Sequence, residues 1–182
     1  MFRNIAAAVM IACLAAPAVA GAADRRDLRL LDEVAKKVNT YAWFTVFDDI
    51  NASIDNGVVT LTGKVTMPYK RNEIAKRVAK VDGVREVHNK IDVLPVSQMD
   101  DDLRYRIARA IYSHPAFWHY ATMIDPPIHI VVDRGHVTLT GVVNSEVDRM
   151  VARSLASQSL AFSVKSEIKT TAEARESLKP EI

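Results

Sequence analysis

The sequence predicts an α+β fold made twice: two tandem α-β-β-α-β units, each with two helices packed on a small three-stranded sheet. Three observations carry this expectation. First, Asn56-Gly57-Val58-Val59-Thr60-Leu61-Thr62-Gly63-Lys64-Val65 returns 78 positions later as Arg134-Gly135-His136-Val137-Thr138-Leu139-Thr140-Gly141-Val142-Val143, and self-similarity at a fixed spacing marks a repeated structural unit. Second, apolar residues inside each copy alternate with a period of two, as in a half-buried strand. Third, stripes with a period near 3.6 precede and follow each copy, as in amphipathic helices.

Unit one, residues 26–94, opens with a helix. Leu31, Val34, Ala35 and Val38 fall at i, i+3, i+4 and i+7, and Asp24 to Asp27 supply acidic or capping residues at its start. Ile50-Asn51-Ala52-Ser53-Ile54 reads as a short strand. Asp55-Asn56-Gly57 is a turn, because Asn-Gly between alternating runs signals a hairpin. The return strand is Val58 to Val65, with Val59, Leu61, Gly63 and Val65 on one face. A second helix starts near Pro68, buries Ile74, Val78 and Val81, and ends at Asp82-Gly83. Val84 to Val93 closes the unit.

Unit two, residues 100–170, repeats the order. Asp100-Asp101-Asp102 precede a helix with the stripe Leu103, Ile107, Ala110, Ile111, well placed for a positive helix end. Pro126-Pro127 stop any helix before the strand Ile128 to Val132. The turn is Asp133-Arg134-Gly135, the next strand His136 to Val143, the next stripe Val147, Val151, Leu155, and the last strand Phe162 to Lys169. Ile74 matches Val151 and Val87 matches Val164 at an offset of 77, so one residue is lost in a loop. The charged stretch 171–182 is expected to be a flexible tail. Gly57 and Gly135 belong to turns and Gly83 to a helix end. Gly63 and Gly141 sit mid-strand on the apolar face, where a closely packed helix is the expected reason.

The first 22 residues read as a secretory signal peptide: Arg3, an apolar run from Ile5 to Ala16, then A-x-A at Ala18-Val19-Ala20 and Ala20-Gly21-Ala22. Cys13 is the only cysteine. Met10-Ile11-Ala12-Cys13 loosely follows a lipoprotein attachment pattern, but the apolar run continues past it, so lipidation is the minor alternative. Losing Arg3 takes the net charge from +2 to +1. A nearly neutral chain argues against nucleic acid as a partner. No other run reaches the ~18 apolar residues of a membrane span, so a peripheral rather than transmembrane protein is expected.

Helix-strand-strand-helix-strand, Gly57-Val58-Val59-Thr60-Leu61-Thr62-Gly63 and the tail Gly83-Val84-Arg85-Glu86-Val87-His88-Asn89-Lys90-Ile91 together resemble the BON domain family, in particular its OsmY-like periplasmic members with two such domains. Unit two departs in its tail, Ser159-Leu160-Ala161-Phe162-Ser163-Val164-Lys165-Ser166-Glu167-Ile168, which lacks the glycine and has Ser166 in place of Asn89. The resemblance implies a non-enzymatic periplasmic protein that binds phospholipid and supports envelope integrity under osmotic stress, or acts as a chaperone. It implies no cofactor.

The residues themselves point to no catalytic centre. There is no G-x-S-x-G, no H-E-x-x-H and no exported cysteine. His88, His114, His119, His129 and His136 lack metal-ligand spacing, and His129 and His136 are expected on solvent-facing sides of strands. Phosphate binding at Gly57–Gly63 is not expected, because no Lys-Ser/Thr follows. The most distinctive segment is His114-Pro115-Ala116-Phe117-Trp118-His119-Tyr120, behind Arg104, Arg106 and Arg109. Trp and Tyr favour the headgroup level of a bilayer. Arg104, Arg106, Arg109, Phe117, Trp118 and Tyr120 are therefore the expected contact for anionic phospholipid or envelope proteins. Unit one has the thinner equivalent Tyr41-Ala42-Trp43-Phe44. Two other expectations stand beside the membrane: a chaperone or protein-interaction module, and a scaffold that recruits partners by strand addition.

Overall fold

Asn56 and Gly57 both take positive φ (49° and 80°), and Arg134 and Gly135 do the same (51° and 78°). This two-residue turn matches the right-handed twist of a hairpin, and each copy forms one. The computed structural model describes residues 18–176, with side chains from residue 26 onward. The predicted leader and Cys13 lie outside the described residues, apart from the backbone of 18–22, which is helical.

In unit one, α1 (Ala18–Asn39) is followed by β1 (Asp49–Asp55), β2 (Val58–Val65), α2 (Pro68–Val78) and β3 (Glu86–Val93). The sheet order is β1-β2-β3, with β1 antiparallel and β3 parallel to β2. Unit two repeats this with α3 (Gln98–Tyr112), the short α4 (Trp118–Ala121), β4 (Ile128–Asp133), β5 (His136–Val143) and α5 (Glu146–Ser157). Its last strand is divided into β6 (Ser163–Ser166) and β7 (Lys169–Thr170), both parallel to β5. The expected α+β architecture is present in both units. Helices cover one face of each sheet, and each unit has its own core. Leu30, Val34, Val59, Leu61, Val65, Ile74, Val78 and Ile91 fill the first; Ile107, Ile111, Phe117, Ile128, Ile130, Leu139 and Ala152 fill the second.

Several local expectations are corrected. The buried stripe of α1 is Leu30, Val34 and Val38, with Ala35 exposed. Asp27 is no cap: its carboxylate accepts the Asn56 N–H across the unit at 3.0 Å. Asp100 acts likewise in unit two. It lies inside α3, fully buried, and its two oxygens accept Arg134 N–H (2.9 Å) and Gly135 N–H (2.7 Å). Ser97 caps α3 instead. α2 ends at Val78, before Gly83. α5 buries Ala152 and Ala156 and leaves Val147 exposed. Residues 171–176 of the expected tail form α6 (Thr171–Glu176), held by the Arg149–Glu173 ion pair at 2.8 Å.

No helix presses on Gly63 or Gly141. A Cβ on Gly63 would stand 2.1 Å from the Asp49 carbonyl oxygen, and one on Gly141 1.8 Å from that of Pro127. The backbone entering the neighbouring strand makes the close approach. The positive φ of 118° and 111° at these positions suits glycine alone.

Asp48 ties unit one together at the end opposite its hairpin. It is fully buried and accepts five hydrogen bonds: Thr45 N–H (2.9 Å), Thr45 Oγ1 (2.8 Å), Thr66 N–H (2.8 Å), Thr66 Oγ1 (2.9 Å) and Lys70 Nζ (2.6 Å). The loop between α1 and β1, the end of β2 and the start of α2 therefore share one anchor. That loop also joins the units. Val46 C=O accepts Ile130 N–H at 2.7 Å, so the open edge of β4 is partly capped. Asp49 accepts Thr140 Oγ1 at 2.8 Å, and Lys64 pairs with Asp133 at 2.6 Å. The Lys64 hydrogen bond holds the Asp133 carboxyl below the usual carboxylate range.

Removing one partner of a buried ion pair strands the other charge. Asp48→Ala is expected to lower stability by about 3–5 kcal/mol in urea unfolding, and Asp48→Ala with Lys70→Met to recover part of that loss. A loss below about 1 kcal/mol for the single variant would contradict the role given to Asp48.

Candidate functional site

Half of the expected contact residues are not on the surface. Phe117 is fully buried and Tyr120 nearly so, stacked at 6.0 Å and 19°, because the gap between α3 and β4 must be plugged to complete the second core. The Tyr120 hydroxyl accepts Asn144 N–H at 3.0 Å, and burial raises its pKa above the usual phenol value. Arg104 is buried as well. It pairs with Asp101 and donates to the Val132 carbonyl at 2.6 Å. These three cannot touch a membrane or a partner. Arg106, Arg109 and Trp118 are exposed.

The exposed three fall on one face. Met99, Asp102, Arg106 and Arg109 stand at steps of three, four and three along α3, one helical stripe. The next position is Ser113, whose carbonyl accepts the Trp118 indole N–H at 3.2 Å. From Met99 to Ser113 the stripe runs about 21 Å at 1.5 Å per residue. Arginines occupy its middle, Trp118 one end and Met99 the other.

The Met99 end is widened by two side chains whose role was not read from the sequence. Leu160 is 88% and Phe162 72% exposed. With Met99, Leu103, Arg106 and Gly135 they line a cleft of about 120 Å³. The Phe162 ring lies against the turn: a Cβ on Gly135 would come within 2.6 Å of it. Phe162 N–H donates to Gly135 C=O at 2.9 Å, as Arg85 N–H does to Gly57 C=O at 2.8 Å. Phe162 thus replaces Arg85, and Leu160 replaces Gly83. Leu160 keeps the glycine conformation at φ 63°, which a side chain adopts only at a cost. The same tip in unit one is charged, lined by Arg26, Asp27, Arg29, Glu33, Asp82 and Arg85. The readable signal was Leu160-Ala161-Phe162, an apolar run where unit one has a glycine turn.

The charged groups at the junction of the two units have partners. In the cleft of about 480 Å³ between the units, Lys64 pairs with Asp133 and the Thr140 hydroxyl donates to Asp49. Of the histidines, His88 meets Glu86 at 2.9 Å and His136 meets Ser163 at 2.8 Å. His129, expected to face solvent, is half-buried against Phe44 with ring centroids 5.4 Å apart, because the loop of unit one covers it. Among the described residues no group of three His, Cys, Asp or Glu is placed to hold a metal.

A family model for the BON domain matches residues 27–95 and again 100–172. The chain belongs to the BON domain family. Its two BON domains coincide with the two units described above. No curated protein matches the sequence. Among solved structures, the chain is similar to the C-terminal domain of CdsD, a structural protein of the type III secretion system of Chlamydia trachomatis. The identity is 15% and the TM-score 0.32, over 79% of this chain and 66% of that one. A second CdsD structure is 14% identical at a TM-score of 0.27, over 85% of this chain and 99% of that one. No described helix of this BON protein is long and apolar enough to cross a membrane.

Leu160→Gly separates strain from surface. It is expected to raise unfolding free energy by about 1 kcal/mol, because the left-handed conformation no longer carries a side chain, while removing part of the apolar tip. A destabilised variant in thermal or urea unfolding would show that the leucine side chain is needed for packing.

Proposed function

We propose that this protein is a non-enzymatic periplasmic envelope component that lies on anionic phospholipid surfaces through α3 of its second BON domain. Family membership supports an association with phospholipid and the envelope, and the α3 face supplies a surface of the right chemistry. One observation carries the reading: a solvent-exposed stripe with Arg106 and Arg109 between apolar ends, Met99, Leu160 and Phe162 at one and Trp118 at the other. Arg134, 82% exposed in the turn beneath Phe162 but 4.0 Å from the Asp133 carboxylate, adds part of a further positive charge nearby.

Magnitudes show why both parts are needed. A basic residue near an anionic surface contributes about 1 kcal/mol. Arg106 and Arg109 opposed by Asp102, with Arg134 shared with Asp133, give roughly 1 to 2, and millimolar affinity requires about 4 kcal/mol. Four apolar side chains that each bury about 50 Å² add about 5 kcal/mol before the cost of association. The arginines select an anionic surface, and the apolar ends supply most of the hold. Attachment is therefore peripheral, reversible and salt-sensitive.

Co-sedimentation with phosphatidylglycerol vesicles tests the reading. The protein is expected to pellet with them, to stay in solution with phosphatidylcholine vesicles, and to lose about tenfold or more in affinity on Arg106→Glu with Phe162→Ser. Unchanged retention of that variant, or none for the parent protein, would overturn it. Protection of an aggregating substrate protein without lipid would favour a protein-binding module instead.

A further inference from the structure

Each BON domain carries one of the chain's two tryptophans. Trp118 belongs to the α3 face. Trp43 is equally exposed, at 63%, and among the described residues its indole forms no hydrogen bond or ring contact. A free indole on a mobile loop would mean little, but this loop is pinned at every other aromatic position. Tyr41 is buried beneath the Arg77 guanidinium, 4.6 Å from the ring centroid. Phe44 packs on His129, and Asp48 closes the loop with its five hydrogen bonds. The segment holds its shape and displays one large side chain.

The loop lies against the second domain. Phe47 meets Tyr105 edge to face, with ring centroids 5.1 Å apart at 80°. Tyr105 lies on α3 next to Arg106 and one turn before Arg109. The loop of domain one therefore abuts the face assigned above to the bilayer. The Val46–Ile130 and Asp49–Thr140 hydrogen bonds hold it there from the other side.

We propose that Trp43 is a second interfacial anchor, and that both domains lie on one bilayer, joined by Phe47 on Tyr105. The proposal rests on the phospholipid reading of α3 and adds domain one to the contact. An amphipathic indole suits the headgroup level. A rigid loop inserts it with little loss of conformational freedom, and anchors on two joined domains act at high effective concentration.

With only two tryptophans, fluorescence reports each anchor separately. Trp118→Phe leaves Trp43 as the sole indole, and Trp43→Phe leaves Trp118. On phosphatidylglycerol vesicles, Trp43 emission is expected to move to shorter wavelength and to become shielded from iodide, with Trp118 behaving likewise. Trp43→Ala should weaken vesicle binding by about tenfold. Phe47→Ala should reduce the Trp43 shift while sparing that of Trp118, with circular dichroism unchanged. A Trp43 signal that stays water-like while Trp118 shifts would overturn the proposal and leave the α3 reading standing. No shift at either indole, with no retention on vesicles, would overturn both.

Discussion

Among the described residues, one buried carboxylate, Asp48, accepts five hydrogen bonds and ties three segments together. Asp48 holds the loop after α1 to the end of β2 and to Lys70 on α2. A buried pair of this kind adds little net stability by itself, because both charges lose their hydration. What it gives is definition. The loop it fixes caps β4 through Val46, places Phe47 on Tyr105 and leads into Asp49, the first residue of β1, which accepts from Thr140. Pro126 and Val147 stand at the corresponding positions of the second domain, where a plug of Phe117 and Tyr120 fills that end instead. One fold has closed the same gap once with a polar knot and once with aromatic rings.

The two domains therefore share a frame and differ at their ends. Asp27 and Asp100 reach their hairpin turns in the same way, and the paired glycines accept the same close backbone approach. The tips beyond those turns diverge: arginines and carboxylates in domain one, Leu160, Phe162 and Met99 in domain two. Keeping Leu160 in a conformation suited to glycine is a local cost with no gain for the core, since the side chain is exposed. Such a cost is in keeping with the contact surface proposed above.

Architecture was legible in the sequence because it rests on periodicity. The repeated hairpin, the extent of β2 and β5 and the start of α2 follow from alternation, Asn-Gly and Pro68. Which residues face inward was less legible, because a helix can rotate by one position without changing its stripe. Thus Leu30 rather than Leu31 is buried, and Ala152 and Ala156 more deeply than Val151 and Leu155. The candidate surface was half legible. An aromatic cluster in sequence does not say which rings a small core will consume, and Phe117 and Tyr120 were consumed. Arg104 followed them, three residues from its partner Asp101. Leu160 and Phe162 came to α3 through the parallel pairing of β6 with β5, a long-range contact that no local pattern announces.

Hydrogen exchange of the whole protein, with and without phosphatidylglycerol vesicles, tests the proposed contact most directly. Slowed exchange is expected in the short segments 97–113, 159–163 and 41–47, with β3 unchanged. Slowing confined to residues 86–93, or to the cleft between the domains, would contradict the assignment of the α3 face to the bilayer.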